Sequence, residues 1–336
     1  MGTSNYKIAA IGSHSALQIL KGAKDEGFET IAICEKGRTE PYKSFKVADK
    51  IIELSKLTDF PKIEQELIDE KAILVPHGSF FAAMSTQQLE KLKVNYFGNK
   101  QILKWEVDRN MQRSWLKKAG LTLPKIYKSP DEIYSPSIVK FFGAKGGKGF
   151  FLAKSKKEFE RKIEEHHGKA YIIQEYIVGA PIYIHYFYSP LDDEIEVMSF
   201  DKRYESNVDS IGRIAAKDQL DMGLETSYNI TGNVPVVVRE SLLPKIFKMG
   251  RAVIEASKKI EKQGIFGPFS LETIVTPELD FYVFEISARI VAGTNPYIDG
   301  SPYTALRYKE PMSTGRRISR EIKNAIAKGK LSKVLG

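Results

Sequence analysis

The segment Phe269-Ser270-Leu271-Glu272-Thr273-Ile274-Val275-Thr276, Pro277-Glu278-Leu279-Asp280, Phe281-Tyr282-Val283-Phe284-Glu285-Ile286-Ser287-Ala288 reads as two β-strands joined by a turn. Symmetric pairing about the turn sets Thr276 opposite Phe281 and Glu272 opposite Glu285. Opposed residues point to the same side of a sheet, and alternation puts Ser287 and Arg289 on the face of Glu285. Two carboxylates held face to face repel, and burial raises that cost unless a cation lies between them. Mg²⁺ or Mn²⁺ would turn the repulsion into a ligand pair and keep coordination sites open for phosphate oxygens. A solvated acidic hairpin is the competing reading, but neither strand carries a lysine to screen it. Glu272 and Glu285 are therefore expected to bind metal.

Two upstream segments supply what a metal-bound polyphosphate needs. The apolar runs Ser137-Ile138-Val139-Lys140-Phe141-Phe142 and Phe150-Phe151-Leu152 flank Gly143-Ala144-Lys145-Gly146-Gly147-Lys148-Gly149. Glycines let backbone N–H groups approach a phosphate, and the lysines add charge. This is not a P-loop, because Gly-Lys-Ser/Thr is missing. Lys140, in an otherwise apolar strand, needs an anionic partner. Ile172-Ile173-Gln174-Glu175-Tyr176-Ile177-Val178-Gly179 reads as a strand ending in a connector whose backbone suits an adenine edge.

The N-terminal region has a different texture. Lys7–Ile11 reads as a buried strand, Gly12–Ser15 as a turn with Ser15 as N-cap, and Leu17, Leu20 and Ala23 as a helix face that stops at Gly27. Thr30–Cys34 and Ala72–Pro76 continue a β-α-β pattern that implies a parallel sheet with helical crossovers. A helix-rich passage, Gln101–Ala119, ends at Gly120. The expected domains are 1–120, Rossmann-like, and 121–336, divided into a smaller part over about 121–180 and a larger one over about 181–336. His14 falls between strand and helix N-terminus, where unpaired N–H groups favour a phosphate; capping of the turn is the alternative.

The 336 residues are 42% hydrophobic and 28% charged, which excludes a disordered or collagen-like chain. Cys34 is the only cysteine, so no internal disulfide forms, as in a reducing cytosol. No apolar stretch spans a bilayer and no secretory signal is readable, so a cytoplasmic protein without a membrane partner is expected. The net charge is +9, but its charges are interleaved; small phosphorylated ligands fit better than nucleic acid.

Glycine loop, connector and paired glutamates follow one another as in the ATP-grasp superfamily, which the chain resembles. That similarity implies an α/β and α+β ATP-grasp fold behind a Rossmann-like N-terminal domain. Ser287 stands where the usual metal motif has Asn, and Pro181 near the place of its ribose-binding acidic residue. Further strings narrow the match: Ser13–Leu20, Gly78-Ser79-Phe80, Tyr96–Lys100, Arg203–Asp209, Ile211-Gly212-Arg213, Gly232–Pro235, Phe284–Asn295 and Gly300–Tyr303. Together they resemble the archaeal formate-dependent 5-formaminoimidazole-4-carboxamide ribonucleotide synthetase family.

The resemblance implies a purine (IMP) biosynthetic ligase. It would join formate to 5-aminoimidazole-4-carboxamide ribonucleotide (AICAR) through formyl phosphate, releasing ADP and phosphate. It further implies that His14, Ser79 and Asn233 hold AICAR and that Glu272 and Glu285 bind Mg²⁺ or Mn²⁺. ATP would meet Lys140, Lys145, Gly146, Gly147, Lys148, Glu175, Tyr176, Ile177 and Glu205. Lys140 and Arg289 are the catalytic candidates, and Arg203 and Arg213 are further phosphate candidates or surface residues. On sequence alone Asn233 is equally a turn residue. A homo-oligomer is implied as well. Phe141-Phe142 replaces a Pro-His pair of the family pattern, which leaves two alternatives: a ligase for another acid or amine, and a non-catalytic nucleotide-binding regulator.

Overall fold

The computed structural model describes residues 5–80, 84–141, 150–205, 207–224 and 229–336. Strands β1 (Lys7–Ile11), β2 (Glu29–Glu35), β3 (Lys50–Leu54), β4 (Ala72–Leu74) and β5 (Asn95–Tyr96) form a parallel sheet in the order β3-β2-β1-β4-β5. Its central strands are apolar without alternation because both faces are covered: Ile8 to Ile11 and Ile31 to Cys34 are fully buried. Ser15 does precede the first helix, Ala16–Asp25, but its hydroxyl meets the His14 ring instead of capping the helix.

A four-stranded antiparallel sheet follows, in the order β6-β9-β7-β8, from β6 (Ile126–Tyr127), β7 (Ser137–Phe141), β8 (Phe150–Ala153) and β9 (Tyr171–Glu175). The third sheet is five-stranded and antiparallel, β12-β11-β10-β13-β14. Its strands are β10 (Ala180–Ser189), β11 (Glu194–Glu205), β12 (Ile230–Val236), β13 (Gly267–Val275) and β14 (Phe281–Ser287).

The β13–β14 hairpin departs from symmetric pairing in an instructive way. Thr276 belongs to the turn, where its N–H donates to Asp280 O at 3.0 Å and Leu279 takes φ +67°. Val275, not Thr276, therefore lies opposite Phe281. A bulge then places Phe284 as an extra residue, so that Thr273 faces Val283 while Glu272 faces Glu285. The two offsets cancel.

The helix Thr314–Ala327 returns to the first sheet and lies against Ala16–Asp25. Contact is closest where side chains vanish: a Cβ on Gly22 would sit 2.2 Å from Arg316 N, and one on Gly315 would sit 2.2 Å from Gln18 O. Buried Glu26 clasps the same crossing through Arg316 at 2.8 Å and Arg320 at 2.6 Å. Buried Arg317 reaches the third sheet through Glu196 at 2.8 Å. Gln18 then donates to Thr294 Oγ1 at 2.6 Å and to Asn295 Oδ1 at 2.7 Å, and Asn295 Nδ2 donates to His14 O at 3.0 Å. One helix thus holds the β1 loop against the segment that follows β14.

Gly315→Ala is expected to cost about 2 kcal/mol, because the backbones must separate to admit one methyl group. A lower urea midpoint with an unchanged slope is the predicted result.

Candidate active site

Cross-strand partners share a face, and the third sheet uses this to line up a polar row. Asn233 pairs with Arg203, Asp201 with Tyr183, Tyr183 with Glu272, and Glu272 with Glu285. The row floors a cavity of about 180 Å³, walled by His14 and Arg289. The structure thus brings six sequence candidates together: His14, Arg203, Asn233, Glu272, Glu285 and Arg289. Asn233 sits in β12, not in a turn.

Glu272 is buried, and its Oε1 accepts from the Arg203 guanidinium, which stacks 4.4 Å above the Tyr183 ring. Its Oε2 is buried with no hydrogen-bond partner. Burial, then the negative charge of Glu285, push the Glu272 carboxyl well above its ordinary range, while Arg203 opposes them. An unsatisfied buried acceptor facing a second carboxylate suits a divalent cation. Among the described residues no group of three or more His, Cys, Asp or Glu side chains could hold a metal. Such an ion would thus draw its other ligands from water or bound phosphate.

Glu285 also lines a second cavity, of about 360 Å³, between the two antiparallel sheets. Lys140 from β7, Gln174 from β9, Phe150 from β8 and Arg109 and Arg113 from the helix Arg109–Lys118 surround it. Lys140 Nζ donates to Gln174 Oε1 at 3.5 Å. Desolvation lowers its pKa, with Arg109 acting in the same direction and Glu285 against it. The connector is differently used than expected. Glu175 N–H donates to Lys125 O at 2.8 Å and Tyr176 N–H to Pro136 O at 3.0 Å, so both donors close the sheet. The Glu175 carboxylate accepts from Lys125 N–H at 3.0 Å. From this strand it is Gln174 and Ile172 that face the cavity, while Glu175, Tyr176 and Ile177 do not line it. Glu205, at the end of β11, and Ser79 line neither cavity, and Arg213 is exposed elsewhere. Lys145, Gly146, Gly147 and Lys148 lie outside the described residues.

His14 adopts φ +53° and stacks on His77, ring centroids 5.4 Å apart and nearly parallel. His77 Nε2–H donates to Ile11 O at 2.8 Å and Nδ1 accepts from Ser79 N–H at 3.3 Å, an assignment that requires the neutral tautomer. Gly78 is needed here, since a Cβ would lie 2.8 Å from His14 Nε2. His14 opens onto the cavity yet is hemmed in by protein. Desolvation, then His77, Arg289 and Arg203, bring its pKa down to about 3. Burial brings His77 down to about 4.

Arg289 is held by buried Glu106 at 2.8 Å, whose other oxygen accepts from Ala288 N–H at 2.8 Å. Beneath Asn233, Nδ2 donates to Asp201 Oδ2 at 2.7 Å, and Asp201 Oδ1 lies 2.8 Å from His185 Nε2. His185 Nδ1 lies 2.7 Å from Ser270 Oγ. Sequence reasoning missed Glu106, Asp201, His185, Ser270 and His77. The available signal was a polar residue inside an apolar run, as with His185 between Ile184 and Tyr186.

Two family models match the chain, one described as a protein of unknown function over residues 8–127 and one as a domain of unknown function over residues 151–336. The chain is 54% identical to the 5-formaminoimidazole-4-carboxamide-1-(beta)-D-ribofuranosyl 5'-monophosphate synthetase of Pyrococcus horikoshii, covering 98% of this chain and 99% of that one. An IMP biosynthesis protein of Thermococcus kodakaraensis has a crystal structure similar at TM-score 0.79 and 29% identity, covering 98% and 100% of the two chains. The ADP complex of an N5-carboxyaminoimidazole ribonucleotide synthetase is similar at TM-score 0.68 and 16% identity, over 96% and 78%, a similarity of fold.

His77 yields a pH prediction. Its folded pKa, about 4, lies below the ordinary 6.5, so the unfolded chain gains protons first as pH falls. Stability is therefore lost between about pH 6.5 and 4, by roughly 3 kcal/mol from this group. In His77→Gln the slope of stability against pH over that window should flatten in urea titrations, whatever happens to the stability at pH 7.

Proposed function

The chain belongs to the 5-formaminoimidazole-4-carboxamide ribonucleotide synthetase family and has the ATP-grasp fold, and on that premise we propose that it joins formate to AICAR at the expense of ATP. ADP and phosphate would leave as the formamido ribonucleotide forms through formyl phosphate. The observation that carries this reading is that the two cavities share one wall residue, Glu285. ATP fills the larger cavity, AICAR the smaller, and phosphoryl transfer takes place where they meet.

Glu272 and Glu285 would hold Mg²⁺ or Mn²⁺, which supplies charge neutralisation between phosphate oxygens. Lys140 reaches the ATP phosphates from the floor of β7, with Arg109 and Arg113 across the cavity. Lys145, Gly146, Gly147 and Lys148 would meet the phosphates. Family resemblance assigns Glu175 to Ile177 to the adenine and Glu205 to the nucleotide, although none of Glu175, Tyr176, Ile177 and Glu205 lines the larger cavity. Arg289, braced by Glu106, presents its guanidinium to charge developing on the transferred group. His14 would take the AICAR phosphate end and Asn233 the base; Ser79, which lines neither cavity, is assigned to AICAR by family resemblance. No side chain acts as a nucleophile. Alignment of bound groups and stabilisation of charge are the chemistry that these residues perform.

Phe141 alternates with Lys140 along β7, so its ring packs on His166 at 4.5 Å and Phe151 at 5.9 Å on the sheet face away from the cavity. The sequence Phe141-Phe142 in place of the family's Pro-His favours a second reading, a ligase for another acid or amine, and the same assay separates the two.

ADP release should require AICAR and formate together; release that ignores formate identifies the second reading. Glu285→Gln is expected to lower turnover about 10²-fold while AICAR binding by calorimetry stays near wild type. Unchanged turnover rejects the metal assignment. His14→Ala should raise KM for AICAR about ten-fold and leave KM for ATP alone.

A further inference from the structure

Asn233 can show a ligand either its carbonyl or its amino edge, and the residues beneath it decide which. We propose that Asp201 sets the hydrogen-bond polarity of the smaller cavity: Asn233 presents its oxygen there, selecting the carboxamide N–H of AICAR against an analogue with a carboxylate at that position. The inference rests on the reading that this cavity takes AICAR.

Asp201 is buried, and a carboxylate only accepts. The Asn233 amide must therefore turn its NH₂ toward Oδ2, at 2.7 Å, which leaves its own Oδ1 for the cavity. Asp201 is kept from turning by His185, which is itself buried between Asp201 Oδ1 at 2.8 Å and Ser270 Oγ at 2.7 Å. Gly293 closes over the pair so tightly that a Cβ would lie 2.3 Å from Asp201 Oδ1 and 2.8 Å from His185 Cε1. The brace has no room to rearrange.

Position identifies the ligand group concerned. Asn233 on β12 and Glu272 on β13 line the same cavity, with β11 and β10 between them. The base of AICAR carries two N–H donors, on neighbouring ring carbons, and since the amine must meet the phosphate beside the glutamates, the donor left for Asn233 is the carboxamide. A carboxylate there would find oxygen facing oxygen, with the Asp201 charge directly behind. A pocket built to receive an N–H rejects analogues that lack one far more strongly than an apolar pocket rejects a change of size.

The test is calorimetric titration with AICAR and with its 4-carboxylate analogue, 5-aminoimidazole-4-carboxylate ribonucleotide. The proteins are wild type, Asp201→Asn and Asn233→Leu, each checked for folding by circular dichroism. Wild type is expected to prefer AICAR by about 10²-fold or more. Asp201→Asn is nearly isosteric and can receive either amide edge, so Asn233 is released to turn and the preference should drop below about ten-fold. Asn233→Leu should weaken AICAR about ten-fold and leave the analogue nearly unchanged. A wild-type preference kept by folded Asp201→Asn overturns the role of Asp201. Equal affinity of wild type for the two ligands overturns the polarity. Failure of wild type to bind AICAR at all overturns the assignment of the cavity, and this inference with it. Should Asp201→Asn not fold, the Asn233→Leu series decides, since equal weakening of both ligands contradicts a directed acceptor.

Discussion

Two acidic side chains opposed across one hairpin set the terms for everything around them. Glu272 is buried and Glu285 is open to two cavities, so the cost of holding both charges falls mainly on Glu272. In the free protein Arg203 partly relieves it by lying on one oxygen of Glu272. The other oxygen has no partner. A site in that condition is poised to take up positive charge, and each surrounding element brings either more of it or the phosphate that accompanies it.

The rest of the architecture delivers ligands to that point from two directions. The four-stranded sheet brings Lys140 to one side of Glu285, and the parallel sheet brings His14 to the other. Neither approach is made by the hairpin itself. Arg289 is aimed by Glu106, which comes from a helix that ends at Asp108, where that residue caps the next helix through Asn110 and Met111.

Local pattern made the strands and the opposed glutamates legible, because alternation and turn residues are properties of neighbours in the chain. The register was right at Glu272 for an incomplete reason: the longer turn at Thr276 and the bulge at Phe284 shift pairing in opposite senses. Neither offset has a local signature strong enough to read. Which connector donors stay free was not legible, since whether Glu175 N–H is engaged depends on Lys125, which arrives from fifty residues away. The buried network of Asp201, His185 and Ser270 was invisible for a related reason. Each member looks like an isolated polar residue until three strands are laid side by side.

The crossing of Ala16–Asp25 with Thr314–Ala327 has a temporal meaning. Ribosomes deliver the β1 loop early and its clamp almost three hundred residues later. During that interval Glu26 is without Arg316 and Arg320, and the groove along Gly22 stands bare. A nascent chain can hence assemble its sheets one after another, but its β1 loop is fastened to the segment after β14 only once the late helix has been released from the exit tunnel.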